Sequence, residues 1–245
     1  MQNVKNTMLD GLLSVLFPHL CCSCGTEGSL LCGNCKSYID SVSVGACLVC
    51  DSVSTSRLCD KCWQVIDTVW VVGARKGVLQ RLIGLYKFQY ARSAANALAS
   101  LLAERLPEDL AVTIVPIPTS QPSVRARGYD HMLLCARRLG AVIRRPVAPL
   151  LSRTSHHIQH RLDRRQRQAA MQGAFYVNGL IDTQAHYLVL DDIITTGSTV
   201  LAAARALRQA GARRVSVVVI AKQLSTIGPT SVKMAKSEWR GDRVV

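Results

Sequence analysis

Tyr187-Leu-Val-Leu-Asp191-Asp192-Ile-Ile-Thr195-Thr196-Gly197-Ser198-Thr199 is the stretch of this 245-residue chain that says most about its fold. An apolar run, His186 to Leu190 apart from its first residue, reads as a buried strand. It ends in two adjacent carboxylates, and a hydroxyl-rich loop with a single glycine then opens a helix predicted over Val200 to Gln209. Loop N–H groups and a helix N-terminus form an anion cradle, strengthened by the helix dipole. Thr195, Thr196, Ser198 and Thr199 add hydroxyl donors, and Gly197 lets the backbone approach an anion closely. Carboxylates are wrong for a phosphate but suited to accept hydrogen bonds from two vicinal sugar hydroxyls. A site with a phosphate cradle on one side and a diol acceptor on the other fits a ribose 5-phosphate. A plain polar turn with a good N-cap would need one Ser or Thr, not four, and no carboxylate pair. The stretch is also no Walker loop, because Gly-x-x-x-x-Gly-Lys is missing.

Outward from this segment the chain alternates strands and helices. Val69 to Ala74 is predicted as a strand, and Val78 to Leu106 as largely helical with a break near Phe88 to Tyr90. Val112 to Ile117 reads as a strand, Met132 to Ile143 as a helix and Ala174 to Val177 as a short strand. Beyond the helix, which Gly211 caps, Val215 to Ala221 is another strand. Strands separated by helices imply an α/β fold, a mostly parallel sheet flanked by helices. In such sheets ligands sit at the carboxyl ends of the strands. Three zones result: residues 1–65 with the cysteines, 66–222 with the α/β domain, and 223–245 as a loose basic tail.

Lys and Arg outnumber Asp and Glu by 30 to 16, a net charge of +14, which favours phosphate-rich partners without choosing among them. Aromatic residues make up only 5% of the chain, so broad surfaces for stacking bases are not expected. Met8 to Phe17 reads as a short amphipathic helix with Leu9, Leu12, Leu13 and Leu16 on one face, stopped by Pro18. Asp10 within it and the lack of a small-residue cleavage site argue against an export signal. No apolar run reaches the roughly 20 residues of a membrane span, and a cytoplasmic location is expected.

Nine of the ten cysteines lie between Cys21 and Cys62. Eight form four Cys-x-x-Cys pairs: Cys21/Cys24, Cys32/Cys35, Cys47/Cys50 and Cys59/Cys62; Cys22 is the spare. Two intervening residues let both thiolates of a knuckle face one ion, and two knuckles complete a closed tetrahedral site. Redox pairs normally sit at a strand-to-helix junction of a larger fold, and iron–sulfur spacings differ. The expectation is a small zinc-ribbon module with two structural Zn²⁺ ions, one per half. An interleaved pairing of the first knuckle with the third stays open. A closed site offers no catalysis, but it would staple about 60 residues that hold few large apolar groups.

The segment Tyr187 to Thr199 resembles the signature of type I phosphoribosyltransferases. That resemblance implies 5-phosphoribosyl-1-pyrophosphate (PRPP) as ligand, with Asp191 and Asp192 on the ribose hydroxyls and Thr195, Thr196, Gly197, Ser198 and Thr199 on the 5-phosphate. Val115-Pro-Ile-Pro118, Arg125-Ala-Arg-Gly-Tyr129, the stretch from Arg153 through Gln159 and Leu162 to Arg167, and Gly173-Ala-Phe175 are similar to the ComF family. The similarity runs over roughly residues 10–222. That family joins an amino-terminal zinc ribbon to a phosphoribosyltransferase domain, is tied to DNA uptake in competence, and includes proteins described as supporting the use of external DNA. Lys87 stands at a family lysine. Asp130 and His131 stand where Asn-Gln is usual, and Ala170 where Asn is usual.

The resemblance further implies displacement of pyrophosphate from C1 of the sugar, usually with Mg²⁺. Candidates to hold the pyrophosphate are Lys87, Arg125 and Arg127, plus the backbone of Pro116 to Thr119. Arg153 to Arg167 resembles a mobile loop over the ligand, in which Gln159 and Arg167 fit the family pattern. Asp191, Asp192, Lys87 and Arg167 are thus the candidate catalytic groups. Thr195 stands where some purine-salvage relatives carry an acid, and cannot serve as one at neutral pH. His131 is expected to be structural or superficial rather than a general base. Three functions compete: phosphoribosyl transfer to an unidentified acceptor, single-stranded DNA binding with PRPP as ligand or regulator, and an adaptor with a vestigial sugar site. Competence proteins are the further partners implied.

Overall fold

The computed structural model describes residues 19–42, 45–88, 91–153 and 174–224. The helix expected at Leu9 to Leu16, the tail beyond 224 and most of the basic segment, including Gln159 and Arg167, lie outside them.

The centre is a four-stranded, wholly parallel sheet in the order β3-β8-β7-β4. Its strands are β3 (Val69–Ala74), β4 (Thr113–Pro116), β7 (His186–Ile194) and β8 (Arg214–Lys222). Both central strands are apolar on both faces, as parallel strands covered by helices must be. Their alternation divides the interior in two. Leu188, Leu190, Val218 and Ile220 pack under α3 (Gly77–Phe88), α4 (Ala91–Ala103) and α6 (His131–Ile143). Tyr187, Val189, Val215, Val217 and Val219 pack instead against α7 (Ser198–Gln209), the small hairpin of β5 (Leu151–Arg153) and β6 (Phe175–Val177), and the second cysteine ribbon.

β7 runs further than its apolar run suggests. It continues through Asp191 and Asp192 to Ile194 because β8 pairs with it as far as Lys222. Both carboxylates therefore ride on a strand in the sheet and not on the loop. α7 begins at Ser198, two residues early, because Gly197 takes φ +74° and turns the chain straight into the helix. α5 (Gln121–Arg127), N-capped by Ser120, and β5 carry too little periodic pattern to be seen in sequence. Arg153 closes β5, where it pairs with Phe175, so the start of the expected mobile segment belongs to a hairpin.

The amino-terminal region forms two similar ribbons. In each, a four-residue helix follows the third cysteine: α1 (Gly33–Lys36) and α2 (Asp60–Trp63). The second also contains a two-residue hairpin of β1 (Gly45–Ala46) and β2 (Val53–Ser54). Cys47, Val49, Leu58, Cys62 and Ile66 are buried in one apolar cluster with Val115 and Val189, so this ribbon shares the core of the sheet. Among the described residues no helix is long and apolar enough to cross a membrane.

Candidate functional site

The sheet ends β4 and β7 side by side, and the groups that follow them converge. Strand alternation sends the two neighbouring carboxylates of β7 in opposite directions. Asp192 continues the side of Leu188 and Leu190, under the ends of α3 and α6. There its Oδ2 lies 2.5 Å from Lys87 Nζ and 3.4 Å from His131 Nε2. Burial alone would raise its pKa, but the His131 hydrogen bond and the Lys87 ammonium outweigh it and hold the group well below the usual carboxylate range. Asp191 is only 8% exposed and accepts from the backbone N–H of Asp192 at 2.9 Å. Burial, then the charge of Asp192, pushes it up to about 7. One carboxylate is thus firmly ionised, and its neighbour is poised near neutrality.

Past Ile194 the chain turns through Thr195 and Thr196, both exposed, to a buried Gly197 that opens α7. Thr196 Oγ1 and Ser198 Oγ sit 3.0 Å apart. No side chain caps the N-terminus of α7. Hydroxyls and helix N–H groups share one corner, which suits a phosphate.

Opposite this loop, the end of β4 contributes Thr119, and α5 and α6 contribute Arg127 and His131. Thr119 Oγ1 donates to Asp130 Oδ1 at 2.8 Å, and Asp130 caps α6 through the Leu133 N–H. Thr119 Oγ1 also lies 2.9 Å from His131 Nδ1, with Arg127 NH1 at 3.1 Å from the same nitrogen. Tyr86 fixes the other end of the residue: its hydroxyl donates to the His131 carbonyl, and its ring meets the imidazole edge-on at 5.8 Å.

The expected groups therefore divide. Asp192 and Lys87 meet, Asp191 lies on the opposite face of β7, and Thr195, Thr196, Gly197, Ser198 and Thr199 follow on the same strand-to-helix connection. Arg127 reaches the same cluster through His131. Arg125, on α5, is exposed. Arg153 Nε donates to the Pro118 carbonyl, and its guanidinium stacks 5.0 Å over Phe175, which ties the β5–β6 hairpin to the end of β4. His131 was underrated by sequence. It is 6% exposed and touches Asp192, a role its position just after the Asp130 cap does not disclose.

The eight paired cysteines gather as two sets, Cys21/Cys24/Cys32/Cys35 and Cys47/Cys50/Cys59/Cys62, each with its sulfurs within 4.8 Å of one another. This resolves the open pairing in favour of one cluster per half. Sγ–Sγ separations of 3.6 Å, Cys24–Cys32 and Cys50–Cys59, approach the roughly 3.8 Å edge of a tetrahedron with 2.3 Å metal–sulfur bonds. A hydroxyl two residues after each first knuckle, Thr26 or Ser52, lies 3.1 Å from the Sγ of Cys24 or Cys50. Both sets could hold a metal ion, and four soft donors each leave no open position.

Comparison with known proteins agrees with this layout. The phosphoribosyl transferase domain family matches residues 126–239. The chain is 30% identical over 164 residues to the DNA utilization protein YhgH of Salmonella typhi, an alignment that covers 60% of this chain and 68% of that protein. With the parallel sheet, the carboxylate pair at the end of β7 and the doubled cysteine clusters, this makes the chain a member of the ComF family, a type I phosphoribosyltransferase fold joined to a cysteine-ribbon module that could hold metal ions.

Proposed function

We propose that the chain binds PRPP, or a ribose 5-phosphate carrying its chemistry, at the ends of β4 and β7. The observation that carries this reading is the carboxylate pair Asp191 and Asp192 near the end of β7, followed directly by an uncapped, hydroxyl-rich helix start at Thr195 to Thr199. The 5-phosphate sits in the loop and the ribose hydroxyls donate to the carboxylates. Lys87 leaves Asp192 as the hydroxyls arrive and turns to the pyrophosphate, joined there by Arg127 and, from the exposed face of α5, Arg125. Mg²⁺ enters with the pyrophosphate as part of the ligand. By the family resemblance Arg167, outside the described residues, is the further candidate catalytic group.

With an acceptor present, the same arrangement supports phosphoribosyl transfer. The C1–O bond to pyrophosphate breaks, the acceptor bonds to C1, and the cations take up the leaving group's charge. His131 holds Asp192 in place instead of attacking. The cysteine clusters hold two structural Zn²⁺ ions; a tetrathiolate set suits zinc, and eight reduced thiols fit a cytoplasmic protein.

The biological setting we infer is the uptake or use of DNA, which rests on the description of the Salmonella relative. The +14 charge favours a second reading, in which the chain binds single-stranded DNA, alongside competence proteins, and PRPP regulates it. Calorimetric titration of the zinc-loaded chain with PRPP and Mg²⁺ tests the first, with Asp191→Ala/Asp192→Ala as control. Binding by the parent and none by the variant is expected. A folded parent that binds nothing sinks it. Oligonucleotide binding that weakens steeply with salt would favour the second.

A further inference from the structure

The phosphate loop does not stand alone. Val49, fully buried between Cys47 and Cys50 of the second cluster, lies against Gly197 so tightly that a methyl group added there would fall 2.3 Å from the Val49 carbonyl oxygen and 2.6 Å from its Cγ1. Gly197 is the residue whose positive φ starts α7. The same knuckle also holds the entry to the loop. Asp51, in the left-handed conformation at φ +60°, places Oδ1 2.9 Å from the ammonium of Lys222. The Lys222 side chain is 3% exposed and, among the described residues, its ammonium has no hydrogen-bond partner besides this ion pair, so the contact is what balances its charge. Lys222 pairs in the sheet with Ile194, and the next residue, Gln223, donates its N–H to the Ile194 carbonyl at 2.8 Å. Residues 47–51 therefore brace both the last residue of β7 and the first turn of α7.

What shapes the knuckle is the cluster. Its backbone hydrogen bonds are short-range, Asp51 N–H to the Cys47 carbonyl, Cys47 N–H to the Ser52 carbonyl and Leu48 N–H to the Arg57 carbonyl, and its hairpin has two residues per strand. An ion bound among the four converging thiols would fix the positions of these residues on so short a ribbon. The first cluster differs. It packs on Val78 of α3; Lys36 reaches Glu104, while Asp40 and Ile39 press on Gly73 and Ala74 of β3. These contacts end on α3, the end of α4 and β3; the nearest, at Ala74, meets Lys222 across the sheet and not the loop itself.

We propose that Val49 positions the phosphate loop, so that metal at Cys47/Cys50/Cys59/Cys62 and phosphate at Thr195 to Thr199 stabilise each other, while metal at the first cluster does not take part. This deepens the phosphoribosyl reading of the loop and rests on it. Binding linkage is reciprocal: whatever the metal adds to ligand affinity, the ligand adds to metal retention.

The test follows metal release to a chromogenic chelator from the zinc-loaded full chain, with and without saturating ribose 5-phosphate, and calorimetry confirms saturation. The Cys24→Ser variant, which keeps the second cluster, assigns the phases. Release from the second cluster is expected to slow about fivefold or more, and release from the first to stay unchanged. Val49→Gly, which keeps all eight thiols, should retain both metals, bind ribose 5-phosphate more weakly and lose most of the protection; Val49→Ala serves if the glycine variant does not fold. Ribose 5-phosphate that binds yet protects neither cluster, or both equally, overturns the coupling and leaves the site reading intact. A folded parent that does not bind it removes both.

Discussion

Lys87 and Asp192 form a charge pair, Nζ to Oδ2 at 2.5 Å, that joins the last turn of α3 to the end of β7 with only 22% and 16% of the two side chains exposed. The cation expected for pyrophosphate and the anion expected for the diol thus neutralise each other before any ligand arrives. Removing one partner leaves the other withdrawn from water and short of a counter-charge.

Lys87→Met should therefore cost about 1–3 kcal/mol at neutral pH, read from denaturant midpoints. Asp192 has a depressed pKa, so the stability it contributes is present above the ordinary aspartate pKa and is lost as pH falls through its native value. The gap between variant and parent should narrow in acid. A gap independent of pH would mean that Lys87 matters through packing.

Asp191 works in the opposite direction. Its pKa is raised to about 7, so the stability it contributes is full below the ordinary aspartate pKa and is lost as pH rises through about 7. Asp191→Asn removes the charge, and the variant should melt a few degrees above the parent at pH 8 but not at pH 4 to 5. The parent's affinity for ribose 5-phosphate should rise from pH 6 to 8 as the acceptor ionises. A flat affinity would take Asp191 out of the diol site.

Two clusters of four thiols predict two metal equivalents per chain, measurable by elemental analysis of the purified protein. Cys35→Ser and Cys62→Ser should each remove one equivalent. Cys62 lies in the core beside Ile66, so its loss should lower the melting temperature of the whole chain. One equivalent in the parent would contradict the arrangement.

Arg208, at the far end of α7 from the phosphate loop, separates stability from binding. Its Nε donates to the Val65 carbonyl at 3.1 Å, one terminal nitrogen to Asp67 at 2.8 Å and the other to the Arg213 carbonyl. Arg208→Met should destabilise the chain by about 1–3 kcal/mol and leave ligand affinity unchanged. Calorimetry on the folded variant checks this.

How far sequence reaches depends on whether the interaction is local. The strand and helix around Asp191 to Thr199 were readable because a buried parallel strand, a carboxylate pair and a helix start follow one another along the chain. Val69 to Ala74 was readable in full for the same reason. The cysteine knuckles declared themselves by spacing, but which knuckles share an ion did not, since that depends on how two ribbons fold back. His131 stayed hidden because its partners Tyr86, Thr119 and Asp192 come from three separate elements. Val49 against Gly197 was less visible still. A valine between two cysteines looks like filler until the sheet brings the ribbon to the loop.

β8, from Arg214 to Lys222, is an interior strand of the sheet, bonded on one side to β3 and on the other to β7. During synthesis the cysteine ligands are complete once Cys62 has emerged, yet β3 must wait until β4, β7 and the helices α3 to α7 have followed it before it gains its sheet neighbour β8. Parallel pairing over such separations is slow, and meanwhile β3 and β7 expose apolar edges. Ribbons that fold early would tether β3 while β8 is awaited. A chain cut short before Arg214 would keep both sets of cysteines and leave β3 without its neighbour in the sheet.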